Sequence, residues 1–289
     1  MAGKRIFFYF LFFLAAFALS LVFRFPGKET AAHFTRSLTQ SDSTLRVSIG
    51  NVKPALLFHL EFEDTEFHLG RDMVVKPESF SARPGLLNFF RNEKTVDIRS
   101  DLYQGSIKAG LNLKSINPFV FSNSKISASG IRINAFNYVT NLGDITLNGE
   151  MSGDTTLFLS EEKKLNGDGI ASFHKFSADI KNSFFNTLNI PRVDFSDIQF
   201  DFTHKGNVIT IKQCTAKGSI INVALKGTLE LVSPLAESRL NLSGSLLPDS
   251  PYLAKFAHTT AVKATAKDLT KDGIRFNITG TFKNPEIGI

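Results

Sequence analysis

Histidine and cysteine are the side chains that most often bind metals or act as catalysts in proteins. The chain has 6 histidines and 1 cysteine. His59 and His68 are the one histidine pair whose spacing suggests a shared site, and Glu61, Glu63 and Glu66 lie between them. These residues alternate as in a β-strand, which brings ligands together only where the fold converges. We therefore expect no metal at these positions.

Cys214 is the single cysteine, so the chain can form neither an internal disulfide nor a cysteine metal cluster. It lies among alternating apolar residues, which predicts a small buried hydrophobe. The sequence has no Gly-x-Ser-x-Gly elbow, no phosphate-binding loop and no dinucleotide fingerprint. We therefore expect a protein that is not an enzyme and that holds no cofactor. An envelope enzyme stays an alternative, because sequence alone cannot assemble a triad from the many serines and aspartates.

The charge balance argues against a nucleic-acid partner. Lys and Arg number 33 against 27 Asp and Glu, which gives a formal net charge of +6. Proteins that bind nucleic acid usually cluster their basic residues on one face, and the sequence has no dense basic block. A solvated surface of mixed charge accounts for the composition.

Phenylalanine is the outlier of the composition, with 29 Phe against 4 Tyr and no Trp. A phenyl ring has no polar tip, so it belongs in a core, a lipid bilayer or an apolar groove. An AT-rich genome, which favours Phe codons, is the alternative cause of this excess. A groove that accepts lipid is the more specific hypothesis.

An uncharged run rich in Phe, Leu and Ala covers residues 6–23, directly after Lys4 and Arg5. A helix of this length, at 1.5 Å per residue, just crosses a hydrocarbon core of roughly 30 Å. Basic residues before such a helix hold the N-terminus in the cytoplasm. We therefore predict a cytoplasmic tip and transmembrane anchor over residues 1–25. Residues 26–289 are predicted to form a β-rich domain outside the cytoplasm, which divides, if at all, near residues 180–190.

A cleaved signal peptide is the alternative interpretation of this segment. Ala16-Phe17-Ala18 matches the small-x-small cleavage pattern. The apolar run continues beyond this point to Phe23, so cleavage there would leave an apolar terminus. We favour the uncleaved anchor, and either alternative places the bulk of the chain outside the cytoplasm.

Beyond the anchor, apolar and polar residues alternate as they do in half-buried strands. One short amphipathic helix is predicted over residues 29–38 and another near residues 184–188. Residues 73–92 interrupt the alternation and predict a helix or a loop over the sheet. The chain is therefore predicted to be mainly β: a single transmembrane helix, then a curved antiparallel sheet with a few short helices. Strand patterns occur at residues 44–49, 60–63, 67–69, 96–98, 107–113, 131–133, 145–147, 156–159, 170–173, 193–195, 198–202, 208–211, 220–225, 229–231, 240–242 and 274–278.

Four segments share the pattern apolar-x-Gly-x-apolar, centred on Gly149, Gly227, Gly244 and Gly280. A glycine inside a strand often marks a bulge or a sharp coil of the sheet. The recurrence predicts a sheet bent several times into a gutter. Chance use of glycine in a strand-rich chain is the alternative explanation.

Several segments together carry a resemblance to a known family. The N-terminal part matches in its order: anchor, Phe25-Pro26, short helix, then the strand pattern at residues 45–49. The C-terminal part is closer, at residues 190–195, 206–211, 218–242 and 280–285. On these segments the chain resembles protein N of type II secretion systems (the GspN family) in its longer, delta-proteobacterial form, within the wider AsmA-like superfamily. Residues 73–123 have no counterpart in that family.

The resemblance implies a non-catalytic component of the type II secretion system. Such a protein lies in the inner membrane, holds its main domain in the periplasm, and acts in protein secretion by docking other envelope proteins. The family carries no catalytic residue, so none is transferred to this chain. The wider superfamily implies the alternative of a lipid-binding or lipid-transfer module with an apolar groove. The implied partners are other secretion or envelope proteins, the membrane, and in the alternative a lipid.

The candidate lining of such a groove consists of phenylalanines in strand-like sequence: Phe195, Phe200, Phe202, Phe276 and Phe282. Side chains alternate across a strand, so Phe200 and Phe202 are predicted to share one face. If that face closes on itself, these rings are ordinary core. If the sheet stays open as a gutter, they line a groove that must meet lipid or a partner, because large apolar patches rarely stay bare.

Overall fold

The structure is a computed structural model. It describes residues 8–10, 12–13, 16, 20, 23–41, 45–55, 59–69, 73–85, 94–116, 119–135, 145–159, 165–180, 192–219, 221–248 and 273–288. The one long helix among them, α1 (Gly27–Ser41), contains the helix predicted over residues 29–38.

Strands make up most of the described chain, as the alternation predicted. In chain order they are β1 (Leu45–Ser48), β2 (Asn51–Ala55), β3 (His59–Glu63), β4 (Glu66–Leu69), β5 (Met73–Val75), β6 (Ser79–Pro84), β7 (Lys94–Leu102), β8 (Gly105–Ile116), β9 (Phe119–Arg132), β10 (Ile145–Leu159), β11 (Leu165–Ile180), β12 (Arg192–Lys205), β13 (Val208–Gly218), β14 (Ile221–Glu230), β15 (Arg239–Pro248), β16 (Ile274–Gly280) and β17 (Pro285–Gly288). Short 3-10 turns follow β9 and precede β15, at Ile133–Ala135 and Leu235–Glu237.

Most of these strands form one antiparallel sheet of 14 strands, in the order β17-β16-β15-β14-β13-β12-β11-β10-β9-β8-β7-β6-β3-β2. From β6 onward each strand pairs with the next one in sequence, so short connections are sufficient. The prediction of contiguous antiparallel strands after residue 190 is confirmed for β12 to β17. β1, β4 and β5 form a separate sheet of 3 strands.

Helix α1 and the small sheet pack onto one end of the large sheet. Ala31 of α1 is 1% exposed and Val52 of β2 is 1% exposed, in one cluster with Val47 of β1. Phe34 of α1 meets the ring of Phe62 on β3 with ring centroids 5.6 Å apart. The helix therefore buries its apolar stripe against the N-terminal strands.

Helix α1 contacts strands at both ends of the N-terminal half of the large sheet. The helix contacts β1 and β2 and also touches β9, which is five strand spacings from β2 in the sheet order. A flat sheet would separate β2 from β9 by about 24 Å, twice the diameter of a helix. Along its axis the helix has 15 residues and is about 22 Å long, so it can span most of this distance by lying across the strands.

Bulges interrupt the regular strand pairing at several positions of the large sheet. The register shifts between Asn148 and Glu150 on β10, at Gly149, whose φ is 142°. A second shift on β13 lies opposite Gly227, whose φ is 143°. These two members of the predicted glycine repeat therefore lie at irregularities that bend strands. The other two differ: Gly280 ends β16, and Gly244 lies in a regular part of β15.

The structure corrects one prediction and leaves two outside its range. Residues 73–92 were predicted to form a helix or a loop, but Met73–Val75 and Ser79–Pro84 are strands. Each is too short to show a period, and proline at the end of β6 obscured the pattern. The helix predicted near residues 184–188 lies outside the described residues. So does most of the predicted anchor at residues 6–23, and over the described residues none of the helices has the length and apolar character that a membrane crossing needs.

Candidate functional site

One side of the 14-stranded sheet is apolar from β7 to β16, and we call it the apolar face. When two residues on neighbouring strands are Cα partners, their side chains point to the same side of the sheet. The strand registers therefore define rows of side chains that run across the sheet. We name each row by its residue on β12. The Phe200 row consists of Ser100, Ile107, Ala128, Gly153, Ala171, Phe200, Cys214, Leu225, Gly244 and Phe276. The Phe202 row consists of Ile98, Ala109, Ile126, Thr155, Gly169, Phe202, Ile211, Gly227, Leu242 and Ile278.

Two further rows flank this pair. The Ile198 row consists of Ile131, Met151, Phe173, Ile198, Ala216, Val223 and Leu246. The His204 row consists of Val96, Leu111, Ser124, Leu157, Gly167, His204, Ile209, Leu229 and Leu240. Among these described residues none is Lys, Arg, Asp or Glu. The apolar face therefore extends as a band four side chains wide across most of the sheet.

The opposite side of the sheet is mostly polar and charged. Lys212 Nζ lies 3.4 Å from Asp201 Oδ1, and Arg192 Nε donates to Asp194 Oδ1 at 2.7 Å. The exceptions are isolated exposed residues such as Phe158 and Ile170. Scattered apolar side chains of this kind are normal on a soluble surface, so the two sides of the sheet differ sharply in polarity.

Much of the apolar face is only half-buried. Its centre is buried, with Cys214 at 4% exposure and Ile211 at 7%. The side chains of Phe200 and Phe202 are neither fully buried nor fully exposed. A closed core would bury such rings almost completely, so part of this band is open to solvent.

Three of the predicted groove residues lie on this face of β12. Phe200 and Phe202 share it as predicted, with Cα partners Ala171 and Gly169 on β11. Phe195 is an odd number of residues from Phe200, so strict alternation would turn it to the other side. A bulge between Phe195 and Asp197 adds one residue to the strand and turns Phe195 to the same side as Phe200 and Phe202. These phenylalanines therefore contribute to one apolar surface.

The last two predicted groove residues lie apart from the first three and from each other. Phe276 of β16 is on the apolar face, opposite Gly244, where an added Cβ would come within 2.7 Å of the Phe276 ring. Phe282 is not in a strand: it follows β16 in the turn before β17 and is 38% exposed. Phe282 lies outside the strand rows because Gly280, where φ is 85°, ends the strand two residues earlier.

Sequence reasoning missed two rings that complete the aromatic part of this face. Phe173 contacts Phe200 with ring centroids 5.5 Å apart, and Phe176 lies 6.3 Å from Phe195. Phe173 and Phe176 are three residues apart, so strict alternation places them on opposite sides. Lys175, at a φ of 50°, forms a bulge that turns Phe176 to the same side. The alternation of β11 was visible in the sequence, but the bulge was not.

Cys214 is a buried free thiol at the centre of the apolar face, as predicted. Burial raises its pKa from 9.0 to about 11. The thiol is therefore protonated at neutral pH and packs as a small apolar group.

His59 and His68 lie on β3 and β4, in two different sheets. His68 Nε2 is 3.5 Å from Glu66 Oε2 on the same strand. Within the described residues, no group of three or more His, Cys, Asp or Glu side chains could hold a metal ion.

Ser172, His174 and Asp197 form a serine–histidine–aspartate line on the polar side of the sheet. Ser172 Oγ lies 3.4 Å from His174 Nε2, and His174 Nδ1 lies 3.2 Å from Asp197 Oδ1. Asp197 Oδ1 has no aligned hydrogen bond, and the His174 side chain is 52% exposed. A catalytic triad needs an oriented histidine and oxyanion donors in a site that excludes water. We therefore interpret this line as a solvated polar contact.

Comparison with models of protein families, with curated proteins and with solved structures gives no match to this chain.

Proposed function

We propose that this chain is a non-catalytic, membrane-anchored envelope protein whose curved sheet binds the acyl chains of lipids along its apolar face. The observation that carries this proposal is the band formed by the Ile198, Phe200, Phe202 and His204 rows. The band is continuous across the sheet, free of Lys, Arg, Asp and Glu, and half-buried. A surface of this kind is costly to leave in water.

The energetic gain from an acyl chain is large enough to hold it there. Burying one methylene group contributes about 0.8 kcal/mol. A chain of a dozen methylenes that is half removed from water would therefore gain roughly 5 kcal/mol before the cost of association. The row arrangement suits such a ligand, because neighbouring apolar side chains follow one another along each row at about 4.8 Å.

The N-terminal segment supports membrane attachment. Its described residues before Arg24 are helical, and their rings are strongly exposed: Phe8 is 68% exposed, Phe12 is 73% and Phe23 is 84%. Rings without a polar tip favour a bilayer over water. With Lys4 and Arg5 in the cytoplasm, residues 26–289 would lie in the periplasm of a Gram-negative cell. An anchored groove could then receive lipid from the membrane beside it.

The proposal is tested by the lipid that co-purifies with the full chain. We expect mass spectrometry of the wild type to find lipid, and Phe202→Asp to lose it while its thermal unfolding transition is kept. The matched control is Thr203→Asp, because Thr203 is the next residue and points to the polar side of the sheet. Wild-type protein without lipid, together with collapse of the Phe202→Asp melting curve, would show that this face is an ordinary core.

A role as a component of the type II secretion system is the second candidate, and the resemblance described above is its support. Docking of other envelope proteins through strand addition would use the sheet edges, β2 and β17. Each edge strand contains a proline, Pro54 and Pro285. Proline has no N–H to donate to an added strand, so the apolar face is the better supported binding surface.

A further inference from the structure

His204 is a polar side chain on the apolar face. It lies on β12 two residues after Phe202, with Cα partners Gly167 on β11 and Ile209 on β13. Alternation along β12 turns Thr203 and Lys205 to the polar side and His204 to the apolar side. An imidazole therefore lies among aliphatic and aromatic neighbours.

The Nδ1 atom of His204 is buried and has no hydrogen-bond partner in the described structure. A buried polar atom without a partner is unfavourable, and native proteins rarely tolerate one without a reason. Desolvation also lowers the pKa of His204, so the ring is neutral at pH 7. Nδ1 can then donate or accept a hydrogen bond, depending on the tautomer. Because the atom is closed off from solvent in this structure, a ligand reaches it only when neighbouring side chains move aside.

The other polar side chains of the face divide into two groups. Ser100 Oγ donates to the Ser79 carbonyl at 3.0 Å, and Thr155 Oγ1 donates to the Asp168 carbonyl at 2.9 Å. Ser124, which is 2% exposed, has a buried Oγ with no partner. Ser124 lies in the same row as His204, so both unsatisfied polar groups of the four rows belong to one margin of the band.

The charge of the face limits the head group that it can accept. The four rows contain no Lys or Arg among the described residues, and a phosphate diester drawn into an apolar site needs a cation or several donors. A carboxyl group is less demanding, because it can enter protonated or share its proton with a neutral imidazole.

We propose that His204 is the polar anchor of the apolar face, where it hydrogen-bonds the carboxyl group of a free fatty acid. The inference rests on the proposed function, because the alkyl chain of the ligand must lie on the neighbouring Phe202 and Phe200 rows. Ser124 is three strand spacings away along the row, about 14 Å on a flat sheet, so His204 binds the carboxyl group without it.

The test compares the binding of hexadecanoic acid and its methyl ester to the full chain by isothermal titration calorimetry in mild detergent. The ester keeps the alkyl chain but cannot donate a proton to the imidazole. We expect the wild type to bind the acid about tenfold more tightly than the ester, the effect of one well-made hydrogen bond. His204→Phe should bind both equally, and His204→Gln, which keeps a hydrogen-bonding side chain, should restore most of the preference.

The matched control is His174→Phe, because His174 is a histidine of the neighbouring strand on the polar side of the sheet. It should leave the preference for the acid unchanged. Equal binding of acid and ester by the wild type would overturn the role of His204 and leave the proposed acyl-binding function unaffected. Failure of the wild type to bind the acid, the ester and detergent-solubilised phosphatidylglycerol would overturn both proposals. Tighter binding of the solubilised phosphatidylglycerol than of the acid would replace the fatty acid by a phospholipid and overturn the role of His204.

Discussion

At the scale of single residues, the chemical reactivity of Cys214 measures how far solvent reaches the centre of the apolar face. Its raised pKa of about 11 and its burial keep the thiolate scarce in the native state. We expect iodoacetamide at pH 8 to modify Cys214 on the order of a hundredfold more slowly in the native chain than in denaturant. Mass spectrometry of timed samples measures the two rates. Equal rates would mean that the centre of the band is open to solvent.

His204 makes a pH-dependent contribution to stability. Its pKa is lowered by desolvation among Phe202, Ile209 and Gly167, so below about pH 6.5 the unfolded chain binds a proton that the native chain resists. Stability from this group is therefore present above pH 6.5 and is lost as the pH falls through the native pKa. We expect His204→Phe to lose less unfolding free energy than the wild type between pH 7.5 and pH 5. Denaturant unfolding at both pH values measures this, and parallel losses would contradict it.

At the scale of elements, the bends of the sheet depend on particular backbone positions. Gly227 of β14 has a φ of 143°, and a Cβ there would lie 2.2 Å from the Asn241 carbonyl oxygen. Gly227→Ala should destabilise the chain by roughly 2 kcal/mol or more, because both the dihedral and the contact with backbone are unfavourable.

The control for this prediction is Gly110→Ala on β8. A Cβ at Gly110 would meet only Asp97 Oδ1 at 3.8 Å, an ordinary contact. Alanine there should be neutral or stabilise by about 0.5 kcal/mol. Chemical denaturation of both variants gives the two free-energy differences, and similar values would show that the bend does not depend on Gly227.

The elements also show how far sequence predicts this fold. Period-two patterns found most strands, and the turn around Gly206 fixed the β12–β13 hairpin. The bulge at Lys175 was invisible, because a single inserted residue shifts the side-chain phase without changing composition. The face of Phe176 was therefore unpredictable, and so was the position of His204 in a row that begins on β7. Rows across many strands depend on every intervening register, which no local pattern specifies.

At the scale of the whole molecule, the order of strands follows the order of the sequence from β6 to β17. Such a meander adds one strand at a time to the same sheet, so each strand lengthens the apolar band by about 4.8 Å. The long apolar band, with β2 and β17 as the outermost of the described strands, is thus a consequence of adding strands one after another. Helix α1 follows the N-terminal helical residues and packs against one end of the sheet.

We predict that the whole chain crosses the membrane once, with its β-rich domain outside the cytoplasm. Lys4 and Arg5 precede the apolar run, so the N-terminus should stay in the cytoplasm and Ile289 should lie in the periplasm. Alkaline phosphatase folds to an active enzyme only outside the cytoplasm, so its fusion after Ile289 should be active in a Gram-negative host. Replacing Lys4 and Arg5 by Glu should lower that activity at equal expression, since the basic side chains hold the N-terminus inside. An inactive fusion to the unaltered chain would indicate the opposite orientation. The proposed groove would then face cytoplasmic rather than periplasmic lipid.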